Sequence, residues 1–201
     1  MDGQRSPDSP EASQPRQQHS EERLIDRAKR GDEQAIGELY RRHVDLIYRY
    51  VYARVQDASI AEDLTAEVFV KALEGLSGYE FTGSPIQAWL YRIAHARTVD
   101  YWRRQERRQE VELEDTVAAD EPSPPELLDL EAEWVTAMNL VAQLTDDQQD
   151  VLILRFVGDL SLSEVAQTLG KTTGAVKALQ HRALASLARL QEEQGAGAGH
   201  E

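Results

Sequence analysis

The chain has 201 residues, of which 41% are hydrophobic and 6% aromatic, and its formal net charge is -14. The absence of cysteine excludes disulfides and thiolate-bound metals, and the acidic balance argues against a protein that binds free nucleic acid through its overall charge. No stretch is long and apolar enough to predict a membrane span or a signal peptide, so we expect a cytoplasmic protein with no membrane partner.

Alanine, leucine, glutamate and arginine dominate the composition and strand-like alternation is scarce, which favours an all-α fold. Changes in composition along the chain predict two small helical domains joined by a flexible acidic linker. The predicted segments are a disordered polar tail at 1–20, a first domain at 21–108, the linker at 109–130, a second domain at 131–190 and a disordered tail at 191–201.

The first domain is predicted to start with two amphipathic helices. Apolar periodicity begins near Glu22, Gly31 is placed to end the first helix, and Asp32 can cap the second. The second helix carries an apolar stripe at i, i+3, i+4 spacing, and His43 lies within that stripe. A histidine in an apolar stripe is more often a core residue than a ligand, so we assign His43 to the core.

A third helix is predicted to begin at a capping box formed by Ser59 and Glu62 and to end near Leu76. The apolar face of this helix is expected to hold Ala61, Leu64, Val68 and Ala72. The polar face is expected to hold Asp63, Glu67, Val70, Lys71 and Glu74. Such a mixed stripe is usually only solvated, with Glu67 and Lys71 forming an i,i+4 pair worth about 0.3–0.5 kcal/mol. The alternative is a docking surface for helices of another protein.

A fourth helix is predicted from Ile86 to Arg108, after a glycine-containing loop at 78–84. It combines six arginines and two acidic residues with several aromatic side chains. Arginines bind phosphates and aromatic rings stack on unstacked bases, so the pattern favours binding to single-stranded nucleic acid. The alternative is a solvated basic face with buried aromatics. The residues expected to point outward include Tyr91, Arg92, His95, Arg103 and Arg104.

An acidic connector follows, with ten acidic residues and no lysine or arginine between 109 and 135. Proline residues, which favour an extended linker, stand at Pro122, Pro124 and Pro125. The connector separates the basic fourth helix from a second basic segment at 162–190, so the net charge hides two basic surfaces. We hypothesise that the linker shields these basic helices in the free protein.

The second domain contains a segment, residues 161–182, with the pattern of a helix-turn-helix. A capping box begins its first helix at Ser161, and Gly170 stands where the chain must turn sharply. Thr172 or Thr173 can cap the second helix. An ordinary helical hairpin is the alternative. The second helix is expected to bury Val176, Leu179, Ala183, Leu184, Leu187 and Leu190.

No segment carries the pattern of an enzyme active site. The five histidines are scattered without metal-ligand spacing, no glycine-rich phosphate loop is present, and no serine stands in a nucleophile-elbow pattern. We therefore expect no catalytic residue, no metal and no cofactor.

Three segments, taken together, carry a family resemblance. They are AEDLTAEVFVKAL at 61–73, PIQAWLYRIAHARTVDYWRR at 85–104 and LTDDQQDVLILRFVGDLSLSEVAQTLGKTTGAVKALQHRALASL at 144–187. In this order, with an acidic linker between the second and the third, the chain resembles a bacterial RNA polymerase sigma factor of the extracytoplasmic-function group. That short form has only conserved regions two and four, and the resemblance covers about residues 23–190.

The resemblance implies roles for particular residues. The first domain, as region two, would dock on the clamp helices of the largest polymerase subunit through Asp63, Leu64, Glu67 and Lys71. It would read and open the −10 promoter element through Arg92, His95, Arg97, Tyr101, Arg103 and Arg104. The loop at 78–84 would receive a flipped-out base. The second domain, as region four, would read the −35 element through Thr172, Thr173, Lys177, Ala178, His181 and Arg182.

The implied partners are core RNA polymerase and promoter DNA, with an anti-sigma factor as a further candidate. Two other functions stay open at this point. A stand-alone helix-turn-helix regulator would bind DNA tightly without polymerase and at a palindromic site. A helical nucleic-acid-processing enzyme is a weaker alternative, because the sequence lacks metal and phosphate motifs.

Overall fold

A computed structural model of the protein describes residues 14–81, 85–112 and 129–197. Within these ranges every regular element is helical, which confirms the predicted all-α class. The helices are α1 (Gln14–Lys29), α2 (Glu33–Val55), α3 (Ala58–Gly75), α4 (Ile86–Glu112), α5 (Asp129–Val141), α6 (Asp146–Leu152), α7 (Leu162–Leu169) and α8 (Thr173–Gly197). A short 3₁₀ turn, Leu76–Gly78, follows α3, and a π-helical turn, Ile153–Val157, continues α6.

The first half of the chain is a bundle in which α2, α3 and α4 pack against one another and α1 packs against α2. Asp32 caps α2 as predicted, because its Oδ1 accepts the N–H groups of Gln34 at 3.0 Å and Ala35 at 3.2 Å. The predicted start of α3 is wrong by two residues. Asp57, not Ser59, is the N-cap, and its carboxylate accepts the Ile60 N–H at 2.8 Å.

The second half places α6 and α7 against α8, and α5 also contacts α8. The capping box of α7 forms as predicted: the Ser161 N–H donates to the Glu164 carboxylate at 2.7 Å, and the Glu164 N–H donates to the Ser161 hydroxyl at 3.3 Å. Gly170 ends α7 in the left-handed region with φ 63, so the sharp turn of the helix-turn-helix lies where the sequence places it.

Four helix ends extend beyond the predicted segment boundaries. Helix α1 begins at Gln14 inside the predicted tail, α4 continues to Glu112 and α5 begins at Asp129 inside the predicted linker, and α8 continues to Gly197. Glutamine, a good helix former, occurs in the extensions of α1, α4 and α8, and Pro15 stands in the first turn of α1, where proline is tolerated. The remaining parts of the predicted tails, linker and loop, at 1–13, 82–84, 113–128 and 198–201, lie outside the described residues.

The two halves pack against each other in this structure. Helix α4 contacts α7, and α2 contacts the π-helical turn. One apolar cluster includes Val51 of α2, Tyr91 of α4 and Leu154 of the π-helical turn. Among the described helices, none is both long enough and apolar enough to cross a bilayer.

Candidate nucleic-acid interface

The first turns of α8 present a continuous polar surface. The opposite face is fixed in the core by Val176, Leu179 and Ala183, which are buried. Thr172 caps the helix, since its hydroxyl accepts the Ala175 N–H at 3.2 Å. All six residues that the resemblance assigns to −35 reading are exposed: Thr172, Thr173, Lys177, Ala178, His181 and Arg182. The structure therefore brings these six together on one accessible face.

The turn before α8 is held against the rest of the second half. The Lys171 amine lies 2.9 Å from the Asp147 carboxylate at the start of α6. The Lys171 N–H also donates to the Ala166 carbonyl at 2.9 Å, which closes the end of α7. Leu184 corrects one expectation, because it is 44% exposed rather than buried, and Leu187 and Leu190 are only partly buried. The helix-turn-helix core ends near Ala183, and beyond it α8 projects with one face partly uncovered.

The six residues assigned to −10 reading do not share one face of α4. At about 100° per residue, Arg92 and Arg103 lie on one side, whereas Arg97, Tyr101 and Arg104 lie roughly opposite. Arg92, Arg103 and Arg104 are exposed. Arg97 is partly buried beside α3, 3.9 Å from the Glu67 carboxylate. His95, also partly buried, turns instead toward the second half of the chain.

An aromatic surface lies near the C-terminal half of α4. Tyr101 and Trp102 form an edge-to-face pair with ring centroids 5.2 Å apart, and Trp102 is exposed. The Gln105 amide donates to the Tyr101 hydroxyl at 2.8 Å, which fixes the orientation of that ring. Trp102 offers an exposed ring next to Arg103, whereas Tyr101 is partly buried. An exposed ring near arginines is the combination that stacks on unpaired bases while binding phosphates.

A second aromatic pair lies at the start of α4. Tyr79 and Trp89 have ring centroids 4.9 Å apart, and burial, followed by the nearby Glu21 charge, raises the pKa of Tyr79 to about 12. With Arg92 they line a cavity of about 310 Å³, which Gln167 and Thr168 of α7 complete from the second half. Residues 82–84 of the adjoining loop, which the resemblance assigns to a flipped-out base, lie outside the described residues.

Tyr91 corrects the expected orientation of α4, because it is fully buried instead of outward. Its ring packs edge-to-face on Tyr50, with centroids 5.4 Å apart, and burial raises the pKa of Tyr91 to about 12. The sequence pattern misleads here because a neighbouring part of the same chain covers this side of the helix.

The predicted docking face on α3 is present in part. Asp63, Glu67 and Lys71 are exposed on one side of the helix. Leu64 is a correction, since it is 7% exposed and belongs to the core. The expected Glu67–Lys71 pair is replaced by two others: Lys71 lies 2.7 Å from the Glu74 carboxylate, and the Glu67 carboxylate lies 3.9 Å from Arg97.

An apolar groove beside this face is not predicted by the sequence pattern. Tyr40, Val70 and Leu73 are large apolar residues with about half of their surface exposed. Tyr40 packs edge-to-face on Phe69 at 4.8 Å between centroids, and the groove between α2, α3 and the start of α4 has a volume of about 370 Å³. Within the described structure Tyr40 and Leu73 are about half exposed, and Phe69 is partly buried.

The contact between the two halves contains a buried carboxylate that sequence reasoning also missed. Asp150 of α6 is 2% exposed. Its Oδ1 accepts the Tyr50 hydroxyl at 3.1 Å and lies 3.3 Å from Arg54 Nε, while its Oδ2 lies 3.4 Å from His95 Nδ1. The Arg54 contact is an ion pair and not a hydrogen bond, because Arg54 Nε has no hydrogen-bond partner in the described structure. Burial, and then the Asp150 charge, raise the pKa of Tyr50 well above 10, so its hydroxyl stays protonated and donates.

Further polar contacts surround this carboxylate. Arg54 donates to the Gln149 side chain and lies 3.2 Å from the Asp146 carboxylate. The Gln87 amide donates to the Gly158 carbonyl at 2.6 Å. The residues of this interdomain contact are Tyr50, Arg54, Gln87, Tyr91 and His95 from the first half with Asp146, Gln149, Asp150 and Gly158 from the second. The sequence signal is weak: Arg54 stands between the apolar Ala53 and Val55, but Asp150 follows a polar run and nothing in its surroundings marks it as buried.

Within the described ranges no group of three histidine, aspartate or glutamate side chains is arranged to hold a metal ion. The exposed surfaces that the structure describes are the basic first turns of α8, the arginines of α4 with the exposed Trp102, and the charged face of α3 beside an apolar groove.

Comparison with known proteins identifies both halves. A family model described as Sigma-70 region 2 matches residues 39–108, and one described as Sigma-70, region 4 matches residues 140–189. The chain is 37% identical over 169 residues to the ECF RNA polymerase sigma factor BldN of Streptomyces coelicolor, an alignment that covers 83% of this chain and 64% of that protein. It is 35% identical over 185 residues to the ECF RNA polymerase sigma factor ShbA of Streptomyces griseus, covering 85% of this chain and 94% of ShbA.

A solved structure supports the fold. CnrH in complex with the cytosolic domain of CnrY aligns with a TM-score of 0.67 and 22% sequence identity, covering 86% of this chain and 97% of that chain. At this identity the likeness shows the architecture alone, and it agrees with the all-α fold described above.

Proposed function

The chain belongs to the extracytoplasmic-function group of RNA polymerase sigma factors, and from this premise we propose that it binds core RNA polymerase and directs it to promoters through the surfaces described above. One observation carries the assignment: the six residues predicted to read −35 all lie exposed on the first turns of α8. A recognition helix enters the major groove with its N-terminal residues, and these are the turns that the second half presents.

We assign −10 opening to α4. Arg103 and Arg104 are exposed beside the Tyr101–Trp102 pair, so charge and stacking surface lie together on the C-terminal half of the helix. Arg97 and His95 are partly buried in contacts with other helices, so we expect them to contribute less to DNA binding in this arrangement.

We assign polymerase docking to the exposed α3 face, Asp63, Glu67 and Lys71, with the neighbouring groove of Tyr40, Val70 and Leu73. A charged rim beside an apolar depression is the usual composition of a protein interface. The same groove is our candidate surface for an anti-sigma factor. The solved structure of the sigma factor RpoE with the anti-sigma factor NepR from Bartonella quintana shows such a partner for that protein, and CnrH is solved in complex with the cytosolic domain of CnrY.

Docking explains how a chain of net charge -14 can act on DNA. Long-range repulsion opposes binding of the free protein to a polyanion, although its two reading helices are locally basic. Binding to polymerase would hold both helices near the promoter, and the second contact would then benefit from a high effective concentration. The proposed action is binding alone, in the cytoplasm, without a chemical step by this chain.

A pull-down with purified bacterial core RNA polymerase tests the proposal. The double charge reversal Asp63→Lys with Glu67→Lys should weaken binding at least tenfold, because it inverts the charge of the docking face. The matched control is Asp26→Lys with Asp45→Lys, which changes the net charge equally at exposed positions on α1 and α2. If both double variants bind the polymerase equally well, the docking interface lies elsewhere on the chain. If the wild type does not bind, the proposed function is refuted.

A further inference from the structure

We propose that the groove between α1 and α2 is a further binding site for nucleic acid, in which arginine side chains hold the phosphates of a DNA strand that extends beyond the −10 element. The site lies outside the DNA-reading surfaces of α4 and α8. It rests on the proposed function, because the strand reaches the groove only when the chain acts at a promoter.

The groove is large and its walls are rich in arginine. Its volume is about 1060 Å³, and four arginines line it: Arg23 and Arg27 of α1 with Arg41 and Arg42 of α2. The other lining residues are Ser20, Leu24, Glu33, Gln34, Gly37 and Glu38. The lining part of α1, residues 20–27, spans about 10 Å at 1.5 Å per residue. Phosphates follow one another at about 3.4 Å along a B-form strand, so the groove has room for two or three of them.

Arg23 is the unpaired cation of the groove. It is exposed, and within the described residues its guanidinium has no hydrogen-bond or ion-pair partner. Arg23 and Arg27 are four positions apart, so both side chains leave the same face of α1. A guanidinium binds a phosphate through two parallel hydrogen bonds, which makes arginine well suited to this ligand. These two side chains can therefore each hold one phosphate of the same strand.

The other three arginines are held in place by carboxylates that a phosphate can displace. Arg27 lies 2.7 Å from the Asp32 carboxylate, and the Glu38 carboxylate lies 3.0 Å from Arg41 and 2.7 Å from Arg42. The side chains in these pairs are all about a third exposed or more. Exposed ion pairs contribute little to stability, so exchanging a carboxylate for a phosphate costs little. Until then the carboxylates keep the guanidinium groups oriented along the groove.

Gly37 leaves space for one of these guanidinium groups. A Cβ at this position would lie 3.3 Å from Arg41 Nη1. An interior glycine weakens a helix, and the backbone does not require one here, because the φ of Gly37 is not in the left-handed region. The missing side chain instead allows the Arg41 guanidinium to lie close against α2, inside the groove.

The lining favours a nucleic-acid backbone over a base or a protein segment. None of the residues that line the groove is aromatic, so a base would find no ring on which to stack. Leu24, the one large apolar side chain of the lining, is 8% exposed, so an acidic protein segment would find no apolar anchor. The Ser20 hydroxyl and the Gln34 amide add neutral donors for phosphate oxygens. The groove therefore suits a contact that positions a strand and leaves sequence reading to α4 and α8.

The groove adjoins the start of α4. Three residues of α2 line both this groove and the apolar groove beside it: Glu33, Gly37 and Arg41. The apolar groove extends to Ile86, the first residue of α4. On the side of α1, the Ile86 N–H donates to the Glu21 carboxylate. A strand that continues past the start of α4 is therefore close to the arginines of α1 and α2.

The salt dependence of promoter binding by the complex with polymerase tests the site. Arg23→Gln with Arg27→Gln should reduce the slope of log K against log salt by about 1.4, since each phosphate contact on a single strand contributes about 0.7. The matched control is Arg49→Gln with Arg189→Gln, which removes the same charge at exposed positions outside the groove and should leave the slope nearly unchanged. Glu33→Gln should tighten promoter binding, because it removes a carboxylate that faces the same phosphates.

Neutral backbone linkages locate the contact on the DNA. In a series of promoter fragments, one methylphosphonate stands at successive positions across and beyond the −10 element. This linkage has no charge, so it removes a phosphate contact and leaves the base intact. One or two neighbouring positions should weaken binding of the wild-type complex and have no effect on Arg23→Gln with Arg27→Gln, because that variant has already lost the contact.

The proposal is overturned if no linkage weakens the wild-type complex more than the double variant, or if the double variant and its control change the slope equally. Weaker promoter binding by Glu33→Gln would also contradict it. If Arg23→Gln with Arg27→Gln loses core polymerase in a pull-down while circular dichroism shows intact helices, the groove binds an acidic segment of the polymerase and not DNA. The proposed function fails by a separate result, namely no binding of the wild type to core polymerase.

Discussion

The guanidinium of Arg97 on α4 lies 3.9 Å from the carboxylate of Glu67 on α3, which joins the helix assigned to −10 reading to the helix assigned to polymerase docking. Both side chains are partly exposed, so the pair adds little to stability. Its consequence is electrostatic: Glu67 offsets the charge of Arg97, while Arg103 and Arg104 stay exposed farther along α4.

This relationship predicts unequal roles for the arginines of α4. In the complex with polymerase, Arg103→Gln with Arg104→Gln should reduce the slope of log K against log salt by roughly 1.4–1.8, since each phosphate contact contributes about 0.7–0.9. Arg97→Gln should reduce the slope by less than half of the reduction that each of Arg103 and Arg104 contributes. Fluorescence anisotropy of a labelled promoter fragment over a salt titration measures both. An equal effect per arginine would show that Glu67 releases Arg97 in the complex.

The turn of the helix-turn-helix predicts opposite effects at two nearby glycines. Gly170 has φ 63, so Gly170→Ala should lower the free energy of unfolding by about 1–2 kcal/mol through backbone strain. Gly174 lies in the first turn of α8 with no atom within 4 Å of an added Cβ, so Gly174→Ala should be neutral or stabilise by up to about 0.5 kcal/mol. Urea unfolding followed by circular dichroism tests the difference. A clear fall in the free energy of unfolding for both variants would contradict the backbone geometry at Gly174.

Local features of the fold could be predicted from the sequence because they depend on neighbours along the chain. The Asp32 cap, the capping box of Ser161 and the left-handed turn at Gly170 each follow from residue types a few positions apart. The exposed −35 face could be predicted for the same reason, since one stripe of α8 is apolar and its complement is polar. Periodicity also assigned His43 to the core correctly, at 8% exposure.

Contacts between residues that are far apart in the sequence could not be predicted. Tyr50 and Asp150 are 100 positions apart, and neither shows by its own pattern that it faces the other. Tyr91 was expected outside because its local surroundings are basic, yet the second half covers it. Leu184 shows the converse limit: a helical stripe identifies an apolar face, but the packing of other helices decides how wide the buried part is. Leu64 is buried as its place on the apolar face indicated, and only its assignment to docking by resemblance is corrected.

Recognition of the −35 element should depend on the basic residues of α8. In the complex with polymerase, Lys177→Ala and Arg182→Ala should each weaken promoter binding. A side chain that contacts a base should cost about 1–3 kcal/mol, and only when the −35 element is intact. A side chain that contacts a phosphate should weaken binding equally for every promoter sequence. Arg189→Ala is the matched control, because Arg189 is exposed farther along α8 and bonds to Ser186 at 3.0 Å. Comparing promoter fragments with intact and scrambled −35 elements distinguishes the two kinds of contact. If Arg189→Ala weakens promoter binding as much as the other two variants, the DNA contacts a different part of α8.

His43 should make the protein sensitive to mild acid. Its side chain is buried, its Nδ1 has no hydrogen-bond partner within the described ranges, and burial, with a smaller effect of Arg42, lowers the pKa of His43 to about 4. The unfolded chain takes up this proton near pH 6.5, so the free energy of unfolding should fall as the pH decreases from about 6.5 to about 4. At about 1.4 kcal/mol per pH unit, the loss should reach up to about 3 kcal/mol. The contribution is fully present above the unfolded pKa and absent below the folded one.

Urea unfolding at a series of pH values, for the wild type and for His43→Leu, measures this contribution. The difference between the two curves isolates His43 from the carboxylates, which titrate in both proteins. His43→Leu should be less sensitive between pH 6.5 and 4, so the curves should converge or cross as the pH falls. A loss of packing alone would displace one curve from the other by a constant amount. Parallel curves would therefore show that His43 reaches solvent or finds a partner when it is protonated.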